Sequence, residues 1–151
     1  MKDERKVSGL YHELLRCWNQ RNAATFAGLF TEDGNTVGFD GSTLNGRAQI
    51  DSNLSQIFAH HPTAAYVGKI RSTRFLTTEV AVVSAVAGMV PPGKSDLNPA
   101  VNAIQTLVAA KQDGRWRIAV FHNTPAAFHG RPELSEQLTE ELRQVLLSQS
   151  A

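Results

Sequence analysis

The chain has 151 residues, which fits one domain with a single sizeable hydrophobic core. Hydrophobic residues make up 42% of the chain and charged residues 19%, as in an ordinary soluble protein. The net charge of +1 provides no basic field, so we expect neither nucleic acid nor a membrane surface as a partner.

No apolar run approaches the roughly 20 residues that span a bilayer, and the first residues, MKDERK, lead into an amphipathic pattern instead of a signal-peptide core. We therefore expect a cytoplasmic protein. The single cysteine, Cys17, excludes an internal disulfide and any metal site built from several cysteines. A packing role is expected for Cys17, and a catalytic nucleophile is the alternative.

The first predicted element is a helix from Asp3 to Asn19. Its apolar residues recur at helical spacing and form one continuous stripe, made of Val7, Leu10, Tyr11, Leu14, Leu15 and Trp18. A stripe of this kind predicts a helix that lies on a flat surface such as a sheet. Trp18 lies near the middle of the stripe, where it either packs in the core or lines a pocket between helix and sheet.

A second, shorter helix is predicted to begin after Asn22, which is a suitable N-cap. Its apolar residues continue to Phe30, and Asp33-Gly34 is expected to end it. A brief extended segment, residues 36–39, follows, and Asp40-Gly41 is predicted to turn the chain.

Asn45 is predicted to cap a third helix, which the segment His60-His61-Pro62 is expected to end. Adjacent histidines on a helix point about 100° apart, so one metal ion could not readily use both. A solvated helix end is the simpler interpretation, and no metal site is predicted.

Four long strands are predicted next. Residues 65–75 and 79–90 form the first two, and the second is apolar on both sides, which indicates a strand covered on both faces. The third and fourth strands, residues 101–111 and 115–124, are joined by Asp113-Gly114, whose residue types suit a two-residue primed turn.

Counted from this turn, Lys111 lies opposite Trp116, Leu107 opposite Val120, and Gln105 opposite His122. Both faces of the predicted hairpin are mostly apolar. We therefore expect one face to be covered by this chain's helices and the other by a second subunit. The first face carries Ala103, Gln105, Leu107, Ala109, Trp116, Ile118, Val120 and His122, and the second carries Asn102, Ile104, Thr106, Val108, Ala110, Arg117, Ala119, Phe121 and Asn123.

A last amphipathic helix is predicted after Pro132, a residue suited to the first turn of a helix. It is expected to pack on the body of the protein or on a partner subunit. Residues 1–130 are thus assigned to the domain and 131–151 to an additional helix.

This order of elements resembles the nuclear transport factor 2-like fold. Four segments are similar to those of the SgcJ/EcaC group of SnoaL-like proteins: LFTEDG at 29–34, GRAQI at 46–50, DGRWRI at 113–118 and FHNT at 121–124. The resemblance implies a cone-shaped α+β fold in which three N-terminal helices pack on a curved antiparallel sheet, with a pocket between the first helix and the sheet. The C-terminal helix is an addition to it.

Ketosteroid isomerase has the same fold, but its catalytic residues do not carry over. Its tyrosine on the first helix falls at Leu14, its general-base aspartate at about Gly38 or Phe39, and its oxyanion-binding aspartate at about Thr106. Asp40 could replace the base only through a local shift. With such a shift, Asp40 is one candidate for a catalytic role. A proton abstraction by Asp40 would still have no residue to stabilise the oxyanion that forms.

The same resemblance implies that the second face of the hairpin lines the pocket. Trp116, Ile118, Val120 and His122 would then contact their copies in a homodimer. The alternative places Trp116 and His122 inside. The ligand-binding residues predicted on the preferred assignment are Leu14, Trp18, Phe39, Asn102, Thr106, Phe121 and Asn123.

His122 is the second catalytic candidate, because the ordinary pKa of histidine lies near neutrality. Its expected neighbour, Gln105, is not an acid. A histidine that is hydrogen-bonded within the subunit contact is therefore the alternative interpretation.

The sequence as a whole predicts a SnoaL-like protein that binds a small, largely apolar, polycyclic or aromatic molecule. The enzymatic version of this prediction is a cofactor-independent isomerase- or cyclase-type step. No cofactor is expected, because no dinucleotide fingerprint or phosphate loop is present. The alternative is a non-catalytic dimeric assembly module whose cone is filled by its own side chains.

Overall fold

A computed structural model describes residues 2–149 of the chain. The helices are α1 (Lys2–Asn19), α2 (Ala23–Gly28), α3 (Arg47–His60) and α4 (Pro132–Gln149), with a short 3₁₀ turn at Pro99–Val101. The strands are β1 (Phe30–Val37), β2 (Thr43–Asn45), β3 (Ala65–Thr77), β4 (Val80–Val90), β5 (Ala103–Gln112) and β6 (Arg115–Pro125). None of these helices, within the described residues, combines the length and the apolar content needed to cross a bilayer.

The six strands form one curved sheet in the order β2-β1-β6-β5-β4-β3. This arrangement confirms the predicted α+β fold with three N-terminal helices and a C-terminal helix. The sheet is mixed, not wholly antiparallel, because β1 runs parallel to β6 while the other neighbours are antiparallel. A helix that ends just before β1 allows this strand to enter the sheet beside β6 in the same direction.

The second helix is shorter than the sequence indicates. Asn22 caps it as predicted, since its Oδ1 accepts a hydrogen bond from the backbone N–H of Thr25 at 3.1 Å. The helix ends at Gly28, and Phe30 already belongs to β1, where it pairs with Ile118. Full burial of Phe30 in this pairing outweighs the helical spacing of its side chain.

The third helix begins one residue later than predicted. Asn45 pairs with Asn35 in the β1–β2 hairpin, and Gly46 is the cap residue, with a φ of 89° that favours glycine. The helix ends at His60, within the segment His60-His61-Pro62 that was predicted to end it.

The β5–β6 hairpin has the predicted turn but a different register. Asp113 and Gly114 have φ angles of 52° and 77°, as a two-residue primed turn requires, and Lys111 pairs with Trp116. A β-bulge then shifts the pairing between Val108 and Ala109. Beyond the bulge, Leu107 pairs with Phe121 and Gln105 with Asn123, so the predicted pairings of Leu107 with Val120 and of Gln105 with His122 were wrong.

The bulge adds one residue to β6, and this extra residue reverses the alternation of the side chains that follow it. The side chains in the second half of β6 therefore point to the opposite face from the one predicted by counting from the turn. Trp116 and Ile118 are buried against α1 on the inner face, whereas Val120 and His122 lie on the outer face. The four residues predicted to form one dimer surface are therefore divided between two faces.

The same correction applies to the predicted pocket face. Phe121 and Asn123 are on the inner face, as expected. Ile104, Thr106 and Val108 lie on the outer face, because Gln105 and its alternating neighbours on β5 point inward. Neither of the two assignments considered from the sequence was right along the whole hairpin.

The main core lies between α1 and the inner face. Val7, Tyr11 and Leu14 of α1 are fully buried against β-strand residues such as Leu107 and Ile118. The first turn of α1 is held by Asp3, whose Oδ1 accepts a hydrogen bond from Trp116 Nε1 at 3.3 Å.

The C-terminal helix packs on the outer face of the sheet, at the end formed by β3 and β4. Leu138 and Leu142 contact Val67, Val86 and Leu97 in a second hydrophobic cluster. The rest of the outer face is open in the single chain. It carries Ile104, which is 37% exposed, and half-buried side chains that include Val82, Val108, Val120 and His122.

Candidate functional site

A cavity of about 70 Å³ lies between α1, α3 and the inner face of the sheet. Its lining residues lie on the helices α1, α2 and α3 and on the strands β1, β2, β3 and β6. Its walls are almost entirely apolar, and the polar exceptions are a threonine, a tyrosine and an asparagine. The lining residues are Leu14, Leu15, Trp18, Phe26, Thr36, Val37, Leu44, Ile50, Leu54, Tyr66, Phe121 and Asn123.

Four of the seven residues predicted to bind a ligand line this cavity, namely Leu14, Trp18, Phe121 and Asn123. The other three do not. Phe39 lies in the turn after β1, and Thr106 is on the outer face as a result of the strand alternation described above. Asn102 precedes β5 and faces α4, where its Nδ2 donates a hydrogen bond to Thr139 Oγ1 at 2.8 Å.

Trp18 forms one wall of the cavity and is held in place from several sides. Its indole Nε1–H donates a hydrogen bond to the backbone oxygen of Ala64 at 2.9 Å. Its ring contacts Phe58 edge-to-face at a centroid distance of 5.2 Å and Tyr66 at 5.4 Å. Of the two roles expected for Trp18, core packing and pocket lining, the structure shows both.

A chain of buried polar side chains runs beside the cavity and ends at it. Tyr11 Oη lies 2.6 Å from Gln105 Oε1, Gln105 Nε2 lies 2.9 Å from Asn123 Oδ1, and Asn123 Nδ2 lies 2.9 Å from Tyr66 Oη. Tyr11 and Gln105 are fully buried. These bonds satisfy groups that would otherwise be costly to bury, and they fix the orientation of Asn123 and Tyr66 at the cavity wall.

Sequence reasoning did not single out Gln105 or Tyr66. A signal for Gln105 was available, because a glutamine inside a strand of apolar residues must find buried partners or be exposed. Tyr66 gave no comparable signal. Its position depends on Asn19, whose Oδ1 accepts from the backbone N–H of Tyr66 at 2.7 Å and whose Nδ2 donates to the backbone oxygen of Tyr66 at 3.0 Å.

The two tyrosines that take part in these hydrogen bonds, Tyr11 and Tyr66, remain neutral at physiological pH. Burial raises the pKa of Tyr11 well above its usual value, and the proximity of Tyr66 raises it further. Burial also raises the pKa of Tyr66, against the opposing effect of the hydrogen bond from Asn123. Tyr66 therefore keeps its hydroxyl proton, and the hydrogen bond that its oxygen forms with residues 2–149 is the one that it accepts from Asn123.

The two candidates for catalysis lie away from the cavity. His122 is on the outer face, and its Nε2 is buried without a hydrogen-bond partner among residues 2–149. Asp40 is exposed in the turn after β1, where it accepts hydrogen bonds from the backbone N–H and the hydroxyl of Ser42 at 2.9 and 3.0 Å. These two bonds lower the pKa of Asp40 below its ordinary value, as expected for a turn-stabilising carboxylate.

The lining residues contain no carboxylate, histidine, lysine or arginine. Proton abstraction from a carbon acid in this cavity would therefore lack a base. Within the described part of the chain, no group of three or more histidine, cysteine or acidic side chains is placed to hold a metal ion.

A profile of the SnoaL-like domain matches residues 1–122, which includes every residue that lines the cavity except Asn123. The chain belongs to the SnoaL-like domain family. No functionally curated protein matches it significantly.

Solved structures with this fold resemble the SnoaL-like chain over most of its length. A domain of unknown function with a cystatin-like fold from Nostoc punctiforme PCC 73102 is 23% identical, with a TM-score of 0.80 over 96% of this chain and 93% of its own. An NTF2-like protein from Novosphingobium aromaticivorans is 13% identical, with a TM-score of 0.70 over 89% of this chain and 88% of its own. A ketosteroid isomerase-like protein from Erwinia carotovora is also 13% identical, with a TM-score of 0.64 over 81% of this chain and 95% of its own. At these identities the similarity establishes the cystatin-like fold.

Proposed function

We propose that this SnoaL-like protein binds a small, uncharged, largely apolar molecule in the cavity between α1 and the sheet. The observation that carries the proposal is the Asn123–Tyr66 hydrogen bond, which places two oriented polar groups on an otherwise apolar wall. Apolar walls supply affinity for such a molecule, and a few fixed polar groups supply its orientation. The absence of charged lining residues argues against a carboxylate or phosphate as the ligand, because its charge would be buried without compensation.

The volume of the cavity sets the size of the molecule. An engineered protein cavity of about 150 Å³ binds benzene, and pockets for drug-sized ligands are about 300–1,000 Å³. The present cavity, at about 70 Å³, suits a molecule smaller than benzene. A polycyclic ligand would require lining side chains to move apart.

Binding without proton abstraction is the form of the function that the site supports best. The isomerase- or cyclase-type chemistry anticipated from the sequence would need a base, and Tyr66 is held neutral by its burial. A reaction in this cavity would be limited to hydrogen bonding from Tyr66 or Thr36 and to steps that water can perform.

A thermal-shift comparison tests the proposal. Uncharged molecules no larger than cyclobutanone should raise the melting temperature of the wild-type protein, by roughly 3–5 °C at about ten times the dissociation constant. Leu44→Phe should abolish this shift, because Leu44 lines the cavity and a larger ring would fill it. The matched control is Leu76→Phe, since Leu76 is 56% exposed and is not a lining residue.

The result that would overturn pocket binding is a ligand-induced shift of the same size in Leu44→Phe and in wild type. The absence of any shift across the whole set of molecules in wild type would overturn it as well.

The second candidate function is a homodimeric assembly module, and we propose the open outer face as the contact between its copies. The observation that favours it is the set of apolar side chains left open on this face, which includes Ile104, 37% exposed, and the half-buried Val108 and Val120. A second copy would cover these apolar side chains. Membership of the SgcJ/EcaC group and a cytoplasmic location are further parts of the proposal, on the motifs and the charge pattern described from the sequence.

Sedimentation velocity tests the dimer. The wild-type protein is expected to sediment as a dimer, and Ile104→Glu should weaken the dimer at least about tenfold, because a carboxylate without a partner would be buried in the contact. Leu76→Glu is the control for an added exposed charge. A wild-type protein that sediments only as a monomer would contradict this proposal without affecting binding in the cavity.

A further inference from the structure

The chain of hydrogen bonds beside the cavity has a direction that can be read from its distances. The Tyr11–Gln105 distance of 2.6 Å is typical of an O–H···O bond, whose usual length is about 2.7 Å. The other two distances, 2.9 Å each, are typical of N–H···O bonds, whose usual length is about 2.9 Å. Tyr11 therefore donates to Gln105, Gln105 donates to Asn123, and Asn123 donates to Tyr66.

The reverse direction fits these distances poorly. It would require an N–H···O bond of 2.6 Å from Gln105 to Tyr11, which is short, and an O–H···O bond of 2.9 Å from Tyr66 to Asn123, which is long. In the direction that fits, the oxygen of Tyr66 accepts from Asn123. The hydroxyl proton of Tyr66 then has no acceptor among residues 2–149.

Tyr66 is positioned to offer this proton to a ligand. Its backbone is fixed by the two hydrogen bonds with the Asn19 side chain, its ring contacts Trp18, and its oxygen is fixed by Asn123. Because each bond in a chain polarises the next, the three bonds that end at Tyr66 strengthen its hydroxyl as a donor. Thr36 adds a second hydroxyl to the same cavity, with no side-chain hydrogen bond to the described residues.

We infer that the hydroxyl of Tyr66 donates a hydrogen bond to the carbonyl oxygen of a small uncharged carbonyl compound. The inference rests on the proposed function and adds the chemical class of the ligand. A carbonyl oxygen accepts a hydrogen bond without bringing a proton that needs its own acceptor, whereas an amine would place a second donor against Tyr66. The apolar part of the compound would contact Leu14, Leu54 and Phe121, which line the remaining wall.

Two ligands that differ only in the acceptor test the inference. Cyclobutanone and methylenecyclobutane share one ring and differ in an exocyclic oxygen or methylene group. Their dissociation constants are measured by titration of the backbone amide signals in two-dimensional NMR spectra of the full chain. For the wild-type protein, the ketone should bind about fivefold more tightly than the hydrocarbon.

Two variants identify the donor. Tyr66→Phe should reduce the ratio of the two dissociation constants to about one, because the ring remains and only the hydroxyl is lost. Thr36→Val removes the other hydroxyl of the cavity. It should keep the ratio of the two dissociation constants, because the hydroxyl of Tyr66 remains. If Tyr66→Phe does not fold, the ring signals of Tyr66 in the wild-type titrations keep the donor testable, because cyclobutanone should shift them more than methylenecyclobutane does, and equal shifts would exclude Tyr66 as the donor.

Each other outcome overturns a stated part of the account. Equal affinities of the two ligands for the wild-type protein would overturn the carbonyl inference and leave cavity binding intact. A ratio lost in Thr36→Val and retained in Tyr66→Phe would reassign the donor to Thr36. If neither ligand perturbs the lining residues, the carbonyl inference fails, and the thermal-shift comparison with Leu44→Phe separately decides whether cavity binding fails with it.

Discussion

The hydroxyl of Tyr11 packs directly against the backbone of Gly68, in the space that a Cβ atom on residue 68 would need. The same Cβ would lie 2.5 Å from Cδ1 of Leu15. Glycine at this position thus allows α1 to approach β3 closely. The close approach brings Tyr11 within reach of Gln105 and so starts the chain of hydrogen bonds that ends at the cavity.

Gly68→Ala is expected to destabilise the protein by about 1–3 kcal/mol, because α1 or β3 must move to accept the added methyl group. The free energy of unfolding from urea titrations measures this effect. Gly9→Ala is the matched control, since nothing lies within 4 Å of a Cβ at Gly9 in the middle of α1. There alanine should stabilise the helix by about 0.5–1 kcal/mol. Equal effects of the two substitutions would contradict the close approach.

Tyr11→Phe is expected to cost about 1–3 kcal/mol, because it leaves the buried side-chain oxygen of Gln105 without its donor. A double-mutant cycle with Gln105→Met separates this bond from general effects of packing. The two substitutions should show a coupling energy of about 0.5–3 kcal/mol. Strict additivity in urea unfolding would show that the two side chains do not interact.

The C-terminal helix should depend on one of its leucines and not on another. Leu142→Ala removes a fully buried side chain from the cluster between α4 and the sheet, and we expect a loss of about 2–5 kcal/mol. Leu147→Ala on the same helix removes a side chain that is 56% exposed, and it should change stability by less than about 0.5 kcal/mol. Similar losses in thermal or urea unfolding would mean that α4 does not pack as described.

The ion pairs between α4 and β3 predict a dependence of stability on pH. Burial alone would raise the pKa of Glu141, but the hydrogen bonds from Lys69 and Arg71 outweigh it and lower the pKa. A carboxyl with a lowered folded-state pKa stabilises the protein above its unfolded value of about 4.3, and this stabilisation is lost as the pH falls through the folded-state pKa.

Glu141→Gln should therefore reduce stability at pH 7 and make no difference in acid. Because Lys69 and Arg71 are about half exposed, the expected loss is only about 0.2–1 kcal/mol, and added salt should reduce it. Glu136→Gln is the control on the same helix, since Glu136 is exposed and forms no ion pair within residues 2–149. A loss that persists below about pH 3 would exclude the ion pairs as its cause.

The sequence was sufficient to predict most of the elements and the side of α1 that faces the sheet. The stripe that contains Leu14 and Trp18 has the helical period, and Asp113-Gly114 specifies its turn, so local patterns decided both. The parallel placement of β1 beside β6 was not predictable in the same way. It depends on the pairing of Phe30 with Ile118, a contact between distant parts of the chain.

The candidate site was predictable only in part, and the reason is the bulge in β6. Counting alternate residues from the turn predicts the pairing of Trp116 with Lys111 correctly. The same count predicts the wrong pairs beyond the bulge, because β6 has one extra residue near Ala119. No local residue pattern announces this bulge. Tyr66 was missed for a related reason, because its role arises from hydrogen-bond partners that are remote in sequence, whereas a glutamine among the apolar residues of β5 was a signal that could have been used for Gln105.

The most direct test of the central claim is the position of cyclobutanone bound to the wild-type protein, measured by intermolecular nuclear Overhauser effects. Contacts are expected from the ring protons of cyclobutanone to the methyl groups of Leu14 and Leu54 and to the ring of Phe121. Contacts to Ile104, Val108 or Val120 on the outer face, without contacts to the cavity residues, would contradict it.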